Sequence, residues 1–475
     1  MDRTGEPYRY RVRMKAAHFS CFALLLLSGI LTALPQVDRS SASEKQTKTT
    51  PGWPSWRGPS GTGCATKASP PTEWSEQKNI KWKVPVPGLG ISSPIIWGDR
   101  IYLTTAIETD RKGGAGDNLE AQHRLAAPRP TVFFEFVVLA LSRTDGRVIW
   151  KRKVAETVPH EGGHSTNSHA SCSPITDGKH VWANFGSRGL YCLDSAGKVV
   201  WSKKLGVMRT RRQYGEASSP ALYGDRLIVN WDHEGDSFIV VFDKRTGNEL
   251  WRRPRDEVTS WSTPIVVPVG GRPQIIINAT TATRGYDLEK GDVIWSLSGM
   301  TVNCIPIPIH VDGVVFVMSG YRGKMLQAVE LASAKGKLDG GASVLWSHER
   351  STSYVPSGLL YDGRLYFLRG NTAVLSCLDA TTGKVHYEGQ RLRGLGSIYA
   401  SPVCANGRIY ITSRKGVTMV IDHGSEFAKR AMNELDDAVD ASLAIVGDQI
   451  YLRGHEYMYC IAEAGSVKVP TIKQR

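Results

Sequence analysis

The densest run of groups able to bind a ligand or a metal lies between residues 160 and 169. Three histidines and one amide side chain fall within these ten residues, at His160, His164, Asn167 and His169. A neutral imidazole can ligate a metal, and it can also donate and accept hydrogen bonds. The spacing is not that of a metalloprotease helix, so metal binding, ligand binding and bonding to nearby loop backbone are all compatible with the pattern.

A second polar run contains the carboxylates Asp232, Glu234 and Asp236, with His233 among them. Carboxylates at alternate positions of a loop suit a hard cation such as Ca²⁺. The same groups could equally form ion pairs with arginines. The three acids are therefore candidate metal ligands, and His233 is a candidate ligand-binding residue.

Arginine recurs in short glycine-containing segments, at Arg188, Arg284, Arg322 and Arg414. Guanidinium groups that converge on one opening would make a basic funnel for an anion, held by charge-assisted hydrogen bonds. The alternative is that each arginine pairs with a neighbouring segment or faces solvent.

These segments recur because the chain repeats a four-strand pattern, typified by residues 218–251. Seven copies open with Ser-Pro or an equivalent, and Ser442-Leu443 holds that place in an eighth. The opening prolines are Pro94, Pro174, Pro220, Pro264, Pro306, Pro356 and Pro402. From Pro174 to Pro402 their spacing is 42–50 residues, the length of one propeller blade. The pattern predicts an all-β fold: an eight-bladed β-propeller of four-stranded antiparallel blades.

The propeller topology predicts where the polar segments meet. Segments that lead into an inner strand and loops that join the second strand to the third emerge on one face of the ring. We therefore expect the segment 160–169 and the arginine loops at one channel mouth. His160, His164, Asn167 and His169 are expected to form a ligand-binding wall there with Asp232, His233 and Glu234.

The two ends of the chain predict how the ring closes. The last repeat stops after its third strand, while Trp82 lies in a single strand near the N-terminus of the propeller. Pairing between these two parts would remove exposed strand edges. The predicted organisation is a signal peptide at 1–43, a linker and aromatic strap at 44–78, the propeller at 79–464 and a tail at 465–475.

The N-terminal residues predict export. Basic residues precede an apolar run with no acidic residue, which is typical of a secretory signal that starts at Met1 or Met14. The protein is then periplasmic or extracellular, and an uncleaved signal would attach it to a membrane. The net charge of +14 favours anionic partners, although nucleic acid is not expected for an exported protein. A monomer is expected.

Two further features bear on the fold. The seven cysteines outside the apolar run are expected to be unpaired packing residues, as Cys192, Cys377 and Cys460 share one third-strand position. Residues 106–130 of the first repeat are expected to form a polar loop, either a plain surface loop or a lid over the site.

The repeat endings at Asp243–Trp251 and Asp287–Trp295 resemble those of quinoprotein-like propellers that carry the PQQ repeat. Three further motifs, which begin at Trp56, Tyr214 and Ser319, resemble exported PQQ-repeat proteins of planctomycete-type bacteria. The resemblance implies one of two functions. One is a non-catalytic binding or scaffold role, like that of the BamB-type assembly lipoproteins, with an anionic ligand or a protein as partner. The alternative is a PQQ-dependent oxidoreductase of the alcohol dehydrogenase type, with PQQ and Ca²⁺ as cofactors.

The sequence departs from the dehydrogenases in lacking adjacent cysteines, long cofactor-walling insertions and a recognisable Ca²⁺ ligand set. These departures favour the binding or scaffold role.

Overall fold

A computed structural model describes residues 52–113 and 128–463. In these ranges the chain forms eight antiparallel sheets arranged as blades, with two single-turn 3-10 helices, Gly186–Arg188 and Arg211–Gln213, and no α-helix. The predicted all-β, eight-bladed propeller is confirmed. The predicted signal peptide, the tail and the middle of the 106–130 insertion lie outside the described residues.

The strands of the N-terminal half, in chain order, are β1 (Ile80–Pro85), β2 (Ile95–Trp97), β3 (Arg100–Lys112), β4 (Val132–Ser142), β5 (Val148–Thr157), β6 (Ile175–Thr176), β7 (His180–Asn184), β8 (Leu190–Asp194), β9 (Val199–Lys203), β10 (Ala221–Tyr223), β11 (Arg226–Trp231), β12 (Phe238–Asp243), β13 (Glu249–Pro254), β14 (Ile265–Val269), β15 (Arg272–Ile277), β16 (Thr283–Asp287) and β17 (Val293–Leu297).

Those of the C-terminal half are β18 (Ile309–Val311), β19 (Val314–Ser319), β20 (Met325–Glu330), β21 (Gly336–Lys337), β22 (Val344–His348), β23 (Leu359–Tyr361), β24 (Arg364–Leu368), β25 (Val374–Asp379), β26 (Val385–Arg391), β27 (Val403–Ala405), β28 (Arg408–Thr412), β29 (Val417–Asp422), β30 (Lys429–Glu434), β31 (Ala444–Val446), β32 (Gln449–Arg453) and β33 (Tyr457–Ile461).

Each blade runs from an inner strand at the channel to an outer strand at the rim. The first is β2-β3-β4-β5, and the next two follow the same order. The fourth gains a fifth strand, because β21 pairs parallel to β17. The middle strands are buried on both faces, as in β12 with its sequence FIVVFD. Adjacent blades cover both faces, which explains why these strands are continuous apolar runs.

A ring of hydrogen bonds surrounds the channel and explains the Ser-Pro signal. The residue two places before each inner strand donates its amide to the hydroxyl of the equivalent residue in the next blade. The donor–acceptor steps are Ser93 to Ser173, Ser173 to Ser219, Ser219 to Thr263, Ile307 to Ser357, Ser357 to Ser401, Ser401 to Ser442 and Ser442 to Ser93, at 2.9–3.1 Å. Only the step from blade four to blade five is missing, because Ile307 has no hydroxyl.

This ring corrects two of the predicted openings. The inner strands of blades five and six begin at Ile309 and Leu359. Their opening pairs are therefore Ile307-Pro308 and Ser357-Gly358, two residues after the predicted Pro306 and Pro356. The openings were predicted from the positions of proline. The contact between blades is made by a hydroxyl, so a proline two residues earlier gave the wrong position.

Tryptophans of the outer strands join one blade to the next. The indole N–H of Trp150 donates to the Ser195 carbonyl in the following blade at 3.0 Å, and its ring lies against Gly197. Trp82, Trp201, Trp251 and Trp346 make the same contact. Each of these indole rings rests on a turn glycine with positive φ, so one residue supplies both the turn and the docking surface.

The N-terminal strand provides the outer strand of the last blade. β1 pairs antiparallel with β33, with Trp82 opposite Cys460. The same Trp82 docks on blade one, where its indole donates to the Arg143 carbonyl. One strand therefore completes the eighth sheet and also joins it to the first.

Residues 53–74 lie across the channel end formed by the hairpins between inner and second strands; we call this segment the strap. Trp53 pairs with Ile96 of blade one, and the strap continues over blades seven and eight. The buried Arg57 guanidinium donates to the carbonyls of Pro402 and Gly358 at 2.9 and 3.2 Å. Burial lowers the pKa of Arg57 to about 9.

A disulfide joins Cys64 of the strap to Cys404 of the seventh inner strand. The expectation that all the cysteines are unpaired is wrong for this pair, because the fold brings together residues 340 positions apart in sequence. Cys192, Cys377 and Cys460 are free and buried, as expected. Burial raises the pKa of Cys192 to about 12.

The insertion of blade one is not wholly a loop. β3 continues to Lys112 and pairs with the start of β4, with Ala106 opposite Phe136 and Lys112 opposite Val132. The polar loop that was expected from residue 106 therefore begins later than predicted. The hairpin extends beyond the rest of the sheet, with a register shift between Glu108 and Lys112.

Replacing Gly197 with Ala tests the indole docking. A Cβ atom there would lie 2.6 Å from the Trp150 ring, so we expect destabilisation by backbone strain plus about 1–3 kcal/mol of overpacking. Gly224→Ala is the matched control, because Gly224 also has positive φ but has open space around it. Equal midpoints of urea denaturation for the two variants would contradict the docking role.

Replacing Cys64 and Cys404 with Ser tests the strap disulfide. The double variant should lose about 2–4 kcal/mol of unfolding free energy, the typical contribution of a native disulfide. Reducing agent should lower the stability of the parent protein and leave the double variant unchanged. A parent protein that is insensitive to reduction would show that the bond contributes nothing in solution.

Candidate functional site

The channel mouth opposite the strap is lined by aromatic and apolar side chains; we call it the axial mouth. Each of its residues comes from a lead-in segment, the stretch before an inner strand. Six of them occupy one repeat position, four residues before the inner strand: Ile91, Ala217, Trp261, Ile305, Val355 and Tyr399. Tyr214, Tyr354 and part of the 160–169 segment complete a cavity of about 170 Å³.

The aromatic side chains of the axial mouth are held in place by polar contacts. The Trp261 indole donates to the Gly215 carbonyl at 2.7 Å. Tyr354 stacks on Tyr321 with ring centroids 4.7 Å apart. The Thr166 hydroxyl donates to the Tyr399 hydroxyl at 3.2 Å, which links blades two and seven across the mouth. The mouth is therefore a preorganised surface.

Two of the predicted residues lie between the axial mouth and a second cavity. His164 meets the Tyr214 ring edge-on at 4.9 Å, and its Nδ1 bonds the Thr166 hydroxyl at 2.8 Å. Asn167 donates to the Tyr214 carbonyl at 2.9 Å. Burial, followed by the charge of Arg414, lowers the pKa of His164. Both residues line both cavities.

The second cavity, which we call the interblade pocket, lies beside the first two blades and measures about 450 Å³. The predicted His169 and Arg188 line it, together with Phe134 and Glu216. Arg188 is buried and forms an ion pair with Glu216 at 3.1 Å. Burial is the main reason that the pKa of His169 falls to about 3, so this imidazole is neutral at physiological pH.

His160 lies at the back of this region. Its Nε2 is 2.7 Å from the Met208 carbonyl and 3.9 Å from carboxylate oxygens of both Glu161 and Glu216. Burial and the charge of Arg188 lower the pKa of His160. Glu161 accepts hydrogen bonds from the amide and hydroxyl of Thr210, at 2.8 and 2.5 Å. Even so, desolvation raises the pKa of Glu161 to about 7.

The acidic run of blade three makes its contacts elsewhere. Asp232 is fully buried and paired with Arg255, with Nε to Oδ1 at 2.6 Å. His233 accepts from the Arg209 amide at Nδ1 and lies against the Asp236 carbonyl at Nε2. Glu234 accepts from the Thr259 hydroxyl at 2.8 Å. None of Asp232, His233 and Glu234 lines the interblade pocket or the axial mouth.

The predicted wall is therefore divided. His164, Asn167, His169 and Arg188 lie together, while the blade-three residues hold their own loop in place. Asp232, Glu234 and Asp236 are not brought together as metal ligands. Across residues 52–113 and 128–463, no three His, Cys, Asp or Glu side chains form a group that could hold a metal ion.

None of the four predicted arginines lines the axial mouth, and three of their charges are neutralised by carboxylates. Arg284 is paired with Glu257, and Arg414 with Asp440 at 2.6 Å. The exposed Arg322 lies over the Tyr321 ring, 5.6 Å from its centroid. These arginines therefore do not form the predicted funnel of free guanidinium groups.

Sequence reasoning missed the aromatic residues of the axial mouth and the acids that pair with the arginines. For Trp261 and Tyr399 the available signal was their shared place four residues before an inner strand. The two-residue error at Pro306 and Pro356 took Ile305 and Val355 out of that shared position, so the repeat of apolar residues was not recognised. Glu216 and Glu257 carry no comparable periodic signal, since each pairs with its arginine through local geometry.

The mouth and its surroundings do not fit a PQQ and calcium site. PQQ is a carboxylate-bearing anion that needs cationic partners, and Ca²⁺ needs several convergent oxygen ligands. Arg188, Arg284 and Arg414 already carry carboxylate partners. The described acids do not converge.

The fold is a repeat β-propeller whose blades are joined by outer-strand tryptophans and by hydroxyls around the channel. The chain belongs to the PQQ_2 family, described as outer membrane protein assembly factor BamB. The family's profile matches residues 135–387 and 236–469, more than half of the chain.

Similarity to individual proteins is lower. The outer membrane protein assembly factor BamB of Francisella salina is 26% identical over 106 residues, which are 22% of this chain and only 18% of that relative's length. The crystal structure of BamB from Moraxella catarrhalis has a TM-score of 0.50 at 14% identity, covering 76% of this chain and 98% of that one. Quinohemoprotein alcohol dehydrogenase from Comamonas testosteroni has a TM-score of 0.60 at 10% identity, covering 90% and 82%. These structural likenesses show the fold alone.

Within the described residues, neither helix is long and apolar enough to cross a membrane.

Glu161 generates a testable pH dependence. Its pKa is about 7 in the folded protein against an ordinary value of 4.5, so the folded state holds the proton more tightly. The contribution of Glu161 to the free energy of unfolding should therefore fall as pH rises from 4.5 to 7, by up to about 3 kcal/mol. Urea denaturation at pH 5 and pH 8 should show a smaller pH difference for Glu161→Gln than for the parent. An identical difference would contradict the raised pKa.

Proposed function

We propose that the chain is an exported scaffold propeller that binds a protein partner at its axial mouth. The observation that carries the proposal is the asymmetry of the channel. The strap occupies one end, while aromatic side chains from four blades converge at the other. The name of the family, an assembly factor, supports a role in bringing proteins together rather than in catalysis.

The chemistry of the mouth suits a protein interface. Tyrosine, tryptophan and arginine are the residues most often responsible for binding energy at such interfaces. Here the Arg414 guanidinium lies 4.5 Å from the Tyr399 ring centroid, and Arg212 lies beside Tyr214 and Tyr321. Rings that are already fixed by hydrogen bonds and stacking lose little conformational entropy when a partner binds.

A protein partner suits the mouth better than a small anion does. Arg414 and Arg284 have carboxylate partners, so an anion that bound through either of them would have to compete with Asp440 or Glu257. The apolar side chains at the axis gain instead from contact with a partner's apolar side chain, which removes their surface from water.

Export is supported by two features of the chain. Residues 1–43 have the basic and then apolar order of a secretory signal. The Cys64–Cys404 disulfide suits an oxidising compartment such as the periplasm.

Site-specific photo-crosslinking in the producing cells tests the proposal. A photoreactive phenylalanine at Tyr399 should yield a discrete crosslinked species containing a second protein, identified by mass spectrometry. The matched control is the same substitution at Tyr223, which ends an inner strand at the strap end of the channel. Tyr399→Ala should weaken binding to the purified partner about tenfold or more, the cost of losing one dominant aromatic contact.

Crosslinking from Tyr223 alone, or from neither position, would contradict the proposal. So would a Tyr399→Ala protein that binds the purified partner with unchanged affinity.

A further inference from the structure

The interblade pocket is not explained by a protein partner at the axial mouth. It lies off the channel axis, and its volume of about 450 Å³ is within the range of small-molecule sites. The 160–169 segment separates it from the mouth, so a ligand could occupy it independently of a protein partner.

Polar groups without partners line this pocket. Neither ring nitrogen of His169 has a hydrogen-bond partner among the described residues, although the ring packs edge-on against Phe134 at 5.1 Å. The Nη2 atom of the buried Arg188 also lacks a partner in this part of the chain. A buried polar group without a hydrogen bond costs about 1–3 kcal/mol, so the Arg188 Nη2 atom points to a ligand that would satisfy it. The partly buried His169 ring can add a further hydrogen bond to the same ligand.

The charged groups of the pocket neutralise one another, which favours an uncharged ligand. Arg188 is matched by Glu216, and His164 and His169 have lowered pKa values that keep them neutral. Glu161 holds its proton up to about pH 7. The remaining acid, Glu108, is exposed at the pocket's edge. An anion would meet no uncompensated cation in the pocket.

The hydrogen-bonding groups and the apolar walls identify the ligand chemistry. A neutral imidazole offers one donor and one acceptor, a guanidinium offers donors, and a carboxylate offers acceptors. Hydroxyl groups match all three, because each can both donate and accept. Phe134 and Phe185 add apolar surface for a C–H face.

We propose that the interblade pocket binds a neutral, hydroxyl-rich small molecule, a sugar unit, with His169 and Arg188 as hydrogen-bonding residues. The site is separate from the proposed protein-binding mouth, so either can fail without the other.

Titration calorimetry and saturation-transfer NMR on the whole protein test this site. The probes are glucose, galactose, mannose and N-acetylglucosamine, with glucuronate as the anionic comparison. At least one neutral sugar should bind saturably. His169→Leu removes both ring nitrogens at similar size and should weaken that binding about tenfold.

A second variant, Ser165→Trp, keeps His169 and Arg188 and fills the interblade pocket with a large side chain. Ser165 is suitable because it is an exposed residue of the pocket wall. The variant should abolish sugar binding. Its matched control is Ser202→Trp, on the exposed surface of the outer strand of blade two, which should bind like the parent. Absence of binding by every neutral sugar would overturn the proposal. Equal binding by the two tryptophan variants, or binding of glucuronate alone, would also overturn it.

Discussion

Every blade depends on its neighbours, because no single four-stranded sheet can bury both of its faces. Two sets of contacts between blades satisfy this constraint, one near the channel axis and one near the rim. Near the axis, backbone amides donate to hydroxyls of the next blade, from Ser93 through Ser442 and back to Ser93. Toward the rim, indole rings such as that of Trp150 dock on turn glycines of the next blade. Both sets run in the same direction around the ring, so a blade that makes them donates on one side and receives on the other.

The same constraint explains what the sequence could predict. Strand runs, turn glycines and closing tryptophans recur at fixed places, so the number of blades and the face of each loop follow from the repeat alone. Pairing of Cys64 with Cys404 does not, since it depends on where a non-repeating segment crosses the channel. The partners of Arg188 and Arg284 could not be predicted either. Their carboxylates, Glu216 and Glu257, are found only when neighbouring lead-in segments are placed in space.

At the candidate site, an error of two residues in the register of two repeats concealed a position that the repeats share. Aligned on the hydroxyl that bonds the next blade, Trp261, Val355 and Tyr399 occupy one position of the repeat. When the repeats are aligned on the nearest proline, these three residues do not share one position. The histidines and arginines are then the more evident candidates for a site. Only part of that polar set lies together, around the interblade pocket, and most of its charged members neutralise or orient one another. Around these residues, the axial mouth offers a ligand an apolar surface and the interblade pocket beside it offers a polar one.

The pairing of β1 with β33 has a consequence for the order in which the molecule can form. Among the described strands, β1 is the first to be synthesised and the last, β33, is its partner, so the eighth sheet cannot be completed until Ile461 has been made. Until then both strands present unpaired edges, and the contact that joins them spans nearly the full sequence. Such distant pairings slow folding because the chain entropy is lost before the contact is gained. An unfinished ring is thus an aggregation-prone species whose lifetime is set by the arrival of the C-terminus.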